Sequence, residues 1–142
     1  LTNLDDLAMW MDRAEWSEHQ TATIGAIATT TAYNEGDPWF QDALQYVKRN
    51  FTLVDEEMHG RFNKVGYVKP QGTYIAWLDF KPLGITDPAA YFLDRAKVAL
   101  TDGKECGTIG QGCVRMNFAM PRPLLRNCFD RMYVALHEDG LL

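Results

Sequence analysis

No unbroken apolar run in the chain exceeds the length of Met132 to Leu136, far short of the roughly 20 residues that cross a bilayer. A membrane-spanning helix is therefore not expected. The basic, apolar and small-residue succession of a signal peptide is missing, and Leu1 stands where an initiator would, which reads as a processed product or an expressed fragment. Basic residues are few and scattered: 14 Lys and Arg against 19 Asp and Glu leave a net charge of -5. Phosphate-backbone binding needs a clustered positive footprint, so nucleic acid is not an expected partner. Cysteine is scarce and odd in number. Cys106, Cys113 and Cys128 lack the C-x-x-C spacing of a zinc site and read as reduced thiols of a cytoplasmic protein, filling core space. There is no H-E-x-x-H and no G-x-S-x-G, which leaves zinc hydrolysis and a serine nucleophile without support. The glycine-rich Gly107 to Gly112, GTIGQG, matches neither a P-loop nor G-x-G-x-x-G and reads as a flexible connection.

What is present suits an ordered protein. Of 142 residues, 46% are hydrophobic, 12% aromatic and 23% charged. A chain of this length buries roughly 68–70% of its unfolded surface, enough for one core. Leu4, Leu7, Met11 and Ala14 recur at helical spacing after Asn3, a competent cap, so a helix is expected from residue 4 to about 17. The Ala- and Thr-rich stretch His19 to Tyr33 reads as a second helix. Asp37-Pro38 opens a long one. Phe40, Leu44, Val47, Phe51, Val54 and Met58 form its stripe, and Gly60 suits a left-handed cap at its end.

Beyond Gly60 the period shifts to two. Thr73 to Phe80 reads as a strand, with shorter ones at Tyr67 to Lys69 and Val98 to Leu100. Asp87-Pro88 opens a short helix to about Lys97. Val114, Met116 and Phe118 alternate with Arg115, Asn117 and Ala119 in a further strand, and a last helix runs from near Pro123 to near Gly140. The expected fold is α/β, a small sheet backed by helices. His59 and His137 fall in last helical turns, where a cation suits the helix dipole, and His19 stands apart from both. Arg115 fits less simply: a guanidinium inside an apolar strand needs a carboxylate or solvent. An internal salt bridge, a solvent-facing arginine and a clamp for a ligand carboxylate all meet that need.

The segments AYNEGDPW (Ala32 to Trp39), PQGTYIAWLDF (Pro70 to Phe80) and VALTDG with GQGCVRMNFAMPR (Val98 to Arg122) occur in order. Together they resemble the C-terminal third of fold-type-I pyridoxal-phosphate enzymes of the class I/II aminotransferase superfamily. Within it they are similar to the cystathionine beta-lyase-like carbon–sulfur lyases, a branch that includes the bacterial maltose-regulon modulator. The resemblance implies that Arg115 clamps the substrate α-carboxylate. It places Tyr74 at the border of the substrate pocket, although core packing fits Tyr74 as well. Thr101 to Gly112 would flank the entrance, departing from the family at Cys106, where an aromatic is common.

The resemblance also implies what lies elsewhere. None of Lys48, Lys64, Lys69, Lys81, Lys97 or Lys104 has the Ser/Thr-rich context of the cofactor lysine. No catalytic, cofactor-binding or metal residue is expected in this chain, and pyridoxal phosphate belongs to the parent enzyme. Residues 1–35 would be helices packing on a missing large domain, and residues 36–142 the small C-terminal α/β domain. A homodimer partner and an amino-acid substrate are implied. The expected activity is β-elimination from cystathionine or cysteine. A class I/II aminotransferase on the same scaffold and a non-catalytic regulatory module are the alternatives.

Overall fold

The computed structural model describes residues 3–17, with side chains through residue 14, and residues 22–142. Two compact units result, one up to Asp42 and one from Ala43 to Leu142. The first holds α1 (Leu4–Ser17) and α2 (Thr23–Glu35), and α3 (Asp37–His59) begins in it. Asn3 caps α1 as expected, its Oδ1 accepting from the Asp5 amide at 2.9 Å. His19 lies outside the described residues. Ala14 of α1 is buried, whereas the large apolar residues of these two helices are exposed: Leu4, Met9, Trp10 and Met11 on α1, Ile24 and Ile27 on α2. The same holds where α3 starts, with Trp39 and Phe40 both exposed.

The second unit has its own core. It contains the rest of α3, then β1 (Gly66–Tyr67), β2 (Ile75–Asp79), α4 (Pro88–Arg95), β3 (Thr101–Asp102), β4 (Cys113–Asn117) and α5 (Arg122–Glu138). The four strands pair antiparallel in the order β1-β2-β4-β3. Alternation sends Ala76 and Leu78 of β2, with Val114 and Met116 of β4, to one face, where all four are buried. Against them pack Leu53, Val54 and Met58 of α3, Phe92 of α4, and Leu125, Phe129, Met132 and Leu136 of α5. Phe62 meets Phe129 edge-on at 5.5 Å between ring centroids, and Phe80 meets Phe92 at 4.9 Å. Each such side chain contributes about 1.5–3 kcal/mol by leaving water.

The stripe of α3 is therefore a core seam only in its later turns, since Phe40 belongs to the exposed set. Gly60 also differs from expectation. It is absent from the left-handed glycines, and the chain continues through a turn held by Phe62 N–H to the Glu57 carbonyl at 3.0 Å. A left-handed residue closes α5 at Gly140, with φ 69°, after which the Leu141 amide reaches back to Leu136 at 2.9 Å. Asp87 caps α4 by accepting from Ala90 at 3.1 Å, with Pro88 in the first turn.

Two further corrections concern the stretch before β4. Val98 to Leu100 pairs with no described strand, and the ladder forms at Thr101 and Asp102, opposite Arg115 and Val114. Lys97 has φ 53° and swings the chain so that the Val98 amide returns to Phe92 at 3.0 Å, tying this segment to α4 instead of the sheet. The glycine-rich segment is not a loose connection. It forms a short 3-10 turn, Thr108–Gly110, packed on the preceding one, Gly103–Cys106, with Gly103 and Gly110 buried against each other. A Cβ added at Gly110 would lie 2.0 Å from the Gly103 carbonyl oxygen, so no side chain fits there.

Among the described residues no helix is long and apolar enough to cross a membrane.

Candidate functional site

The face of the sheet turned away from the core carries three cross-strand pairs: Ile75 with Asn117, Trp77 with Arg115, and Asp79 with Cys113. Thr101 flanks Arg115 from the other side. Directly opposite residues of an antiparallel pair hold their Cβ atoms about 4.5–5.5 Å apart, so Trp77, Arg115 and Thr101 form one row across three strands. Arg115 is exposed, and Trp77 beside it is 39% exposed.

The carboxylates that could have neutralised Arg115 are engaged elsewhere. Asp79, one pair along the face, binds the Lys81 ammonium at 3.2 Å and accepts from the Lys81 amide at 2.9 Å. That carboxylate holds Lys81 above the usual lysine range. Lys81 also reaches the buried Cys113 sulfur at 3.6 Å, closing that end of the face. Asp102, next to Thr101, caps the following turn through the Lys104 amide and meets its ammonium at 3.3 Å. The Arg115 side chain makes no hydrogen bond or ion pair with the described residues, which removes the internal salt bridge from the readings of the sequence. A planar, permanently charged fork with free donors matches a carboxylate bidentately.

Beside Arg115 lies a small pocket of about 120 Å³, bounded by Leu100, Thr101, Asn117, Met120 and Cys128. It occupies the gap where Val98 to Leu100 fails to pair with β4. Burial pushes the Cys128 thiol above its ordinary value. Of the other cysteines, Cys113 is buried on the outer face of the sheet beside Lys81 and stands apart from the core cluster, whereas Cys106 is exposed, its 3-10 turn leaving it at the surface.

Tyr74 is half-exposed at 49%, so it is not a core residue. It precedes β2, and its carbonyl accepts from the Phe118 amide at 2.9 Å, extending the ladder by one step. By register it falls on the side of Ala76 and Leu78, opposite Arg115, and it does not line the pocket beside Arg115. Thr73, just before it, has φ 68°, an unusual conformation for a β-branched residue that redirects the chain into β2.

Two features escaped the sequence reading. Alternation puts Trp77 in the strand, but its partner Arg115 is supplied only by the register. Asn50 is fully buried on α3; its Nδ2 donates to the Phe118 carbonyl at 2.8 Å and the Met120 carbonyl at 2.7 Å, while its Oδ1 has no partner. Its spacing carried a signal, since it lies three residues after Val47 and four before Val54, a polar residue on the seam.

His59 and His137 take no part in this face. His59 is exposed and its Nδ1 lies 2.8 Å from the Asp55 carbonyl in the last turn of α3, and His137 lies beside Tyr133 in the last turn of α5. A pyridoxal-phosphate site is not met by the residues around Arg115. All six lysines are exposed, none lines its pocket, and Lys69, Lys81, Lys97 and Lys104 are in ion pairs with aspartates.

Residues 5–132 match the family model for aminotransferase class I and II. A protein of Mycobacterium leprae, provisionally named cystathionine beta-lyase, is 36% identical over 83% of this chain and 33% of its own length. Protein MalY of Escherichia coli is 36% identical over 73% of this chain and 27% of its own. The fold superposes on a crystal structure from Corynebacterium diphtheriae, provisionally assigned as a PLP-dependent beta-cystathionase, with a TM-score of 0.85 and 31% identity over 96% of this chain and 37% of that one. The chain thus spans about a third of the length of the curated relatives it matches.

Proposed function

The chain belongs to the aminotransferase class I and II family, and from that membership we propose that it is the C-terminal part of a pyridoxal-phosphate-dependent carbon–sulfur β-lyase acting on cystathionine, cysteine or a related amino acid. Arg115 is its substrate-carboxylate ligand. The cofactor, held by residues outside this chain, supplies the electron withdrawal from Cα. What these residues contribute is binding and orientation. Arg115 forks the α-carboxylate at the open face of the sheet and so fixes the substrate about that end. Tyr74, exposed at the head of β2 on the other side of the sheet from Arg115, takes no part in that contact. The large domain carries the cofactor lysine and covers the apolar faces of α1 and α2, and a second copy completes a homodimer.

The observation that supports this reading is a free, exposed guanidinium on the outer face of β4, with Asp79 and Asp102 both committed to lysines. The lyase branch is favoured by the names of the relatives, and the aminotransferase reading by the family model. Both use Arg115 alike. Product analysis on the intact protein supplied with cystathionine separates them: ammonia, pyruvate and a thiol are expected. A keto acid with a new amino acid would replace the lyase reading by the aminotransferase one, and no turnover of either kind would overturn both.

A further inference from the structure

Asn50 is a costly choice for a helix seam. It is fully buried, its Oδ1 has no partner among the described residues, and an apolar side chain of the same size would fill the space without an unsatisfied acceptor. Its amide group, however, is used to the limit. A primary amide has two N–H bonds, and here one goes to the carbonyl of Phe118 at 2.8 Å and the other to that of Met120 at 2.7 Å. These carbonyls bracket the point where the chain leaves β4, three residues beyond Arg115. The Phe118 peptide works in both directions: its carbonyl is held by Asn50, and its amide holds the Tyr74 carbonyl at 2.9 Å. One buried side chain thus fixes the peptide that sets the end of β4 against the head of β2.

We propose that Asn50 is a positioning residue, which acts through the Phe118 peptide to hold the end of β4, and with it Arg115, in the geometry that receives a substrate carboxylate. This rests on the carboxylate role of Arg115 given above. Asn50 lies on the core side of the sheet and touches no substrate. Its effect is confined to the part of binding that depends on the carboxylate, because the Phe118 peptide adjoins the strand that carries the guanidinium.

The test compares L-alanine with ethylamine, which is alanine without its carboxylate, as calorimetric ligands of the intact holoenzyme. The ratio of their affinities isolates the contribution of the carboxylate. Asn50→Leu should reduce that ratio about ten-fold, equivalent to about 1.4 kcal/mol, with little change for ethylamine. In an Arg115→Met background the same substitution should change nothing further. Should Asn50→Leu fail to fold, Asn50→Ser keeps one donor and should give a smaller fall of the same kind. Tyr46→Phe, which removes the hydroxyl that accepts from the Arg122 amide at 2.7 Å beyond the turn, serves as the structural control and should leave the ratio intact. An unchanged ratio in the folded Asn50 variants, or an equal fall in Tyr46→Phe, would overturn the assignment. If Arg115→Met itself leaves the ratio unchanged, it is the carboxylate role of Arg115 that fails.

Discussion

Replacing Arg115 by lysine keeps a positive charge on the open face of the sheet but removes the planar fork. A carboxylate received by two parallel N–H bonds would be left with a single donor on a flexible stem. A hydrogen bond to a charged group contributes about 1.5–3 kcal/mol, which corresponds to roughly ten- to hundred-fold in affinity. The structure makes the folding side of the experiment clear. Arg115 is exposed and its side chain is bonded to none of the described residues, with Asp79 and Asp102 already held by Lys81 and Lys104. Surface substitutions of that kind alter stability by about 0.5 kcal/mol or less, a change in Tm of about 2 °C at most. On one preparation of the intact Arg115→Lys enzyme, kcat/KM should therefore fall ten- to hundred-fold while Tm and the cofactor absorbance stay as they were. Unchanged KM and kcat/KM would refute the carboxylate role. A large fall in Tm with normal kinetics would show that the arginine is bound to the protein's own groups.

Gly110→Ala should destabilise the second unit by about 1–3 kcal/mol, because its methyl group would meet the Gly103 carbonyl at 2.0 Å, and limited proteolysis should then cut between residues 103 and 112. Arg61→Met removes a guanidinium that binds Glu57 through two bonds, at 2.7 and 2.8 Å, and Asp130 at 2.8 Å, joining α3 to α5; partial exposure limits the cost to about 1 kcal/mol by urea denaturation. Burial, with the Asp55 charge, pushes the Tyr67 phenol up to about 12, and burial with the Asp139 hydrogen bond does the same for Tyr91. A raised folded-state value means that stability is complete below the unfolded phenol value of about 10 and is lost as the pH climbs toward about 12. Asp139, held down first by Arg95 and then by Tyr91, and Asp87, held down by Lys104, act in the opposite sense, their stabilisation fading as the pH falls below the ordinary carboxylate value. A plot of Tm against pH should show a plateau that declines at both ends, and a plateau persisting to about pH 12 would contradict the burial of the two phenols.

Helices with a cap and a stripe could be read directly from the chain. Asp87-Pro88 and the run from Leu125 to Leu136 announce α4 and α5 because the signals are local and the face they predict is the face that is buried. The alternation of β4 likewise placed Val114, Met116 and Phe118 inward and Arg115 outward. What failed depended on partners distant in sequence. Val98 to Leu100 has strand composition, yet the turn at Lys97 commits it to α4, leaving the pairing to Thr101 and Asp102. The glycines of GTIGQG look permissive in isolation and become restrictive only when Gly110 meets Gly103. The candidate site was half legible. The type and facing of Arg115 follow from its strand, but its freedom from carboxylates depends on where Lys81 and Lys104 reach, which no local pattern records.

The sheet ends on both sides in strands only two residues long, β1 and β3. An edge that short gives an incoming chain almost no ladder to extend, so edge-to-edge growth into fibrils has little template here. The sticky surface of this polypeptide lies instead on helices, where Ile24, Ile27, Trp39 and Phe40 stand in water. Work to improve the solubility of the isolated chain belongs on those helical positions, Ile24→Glu and Ile27→Lys for example, with the edges of the sheet left as they are.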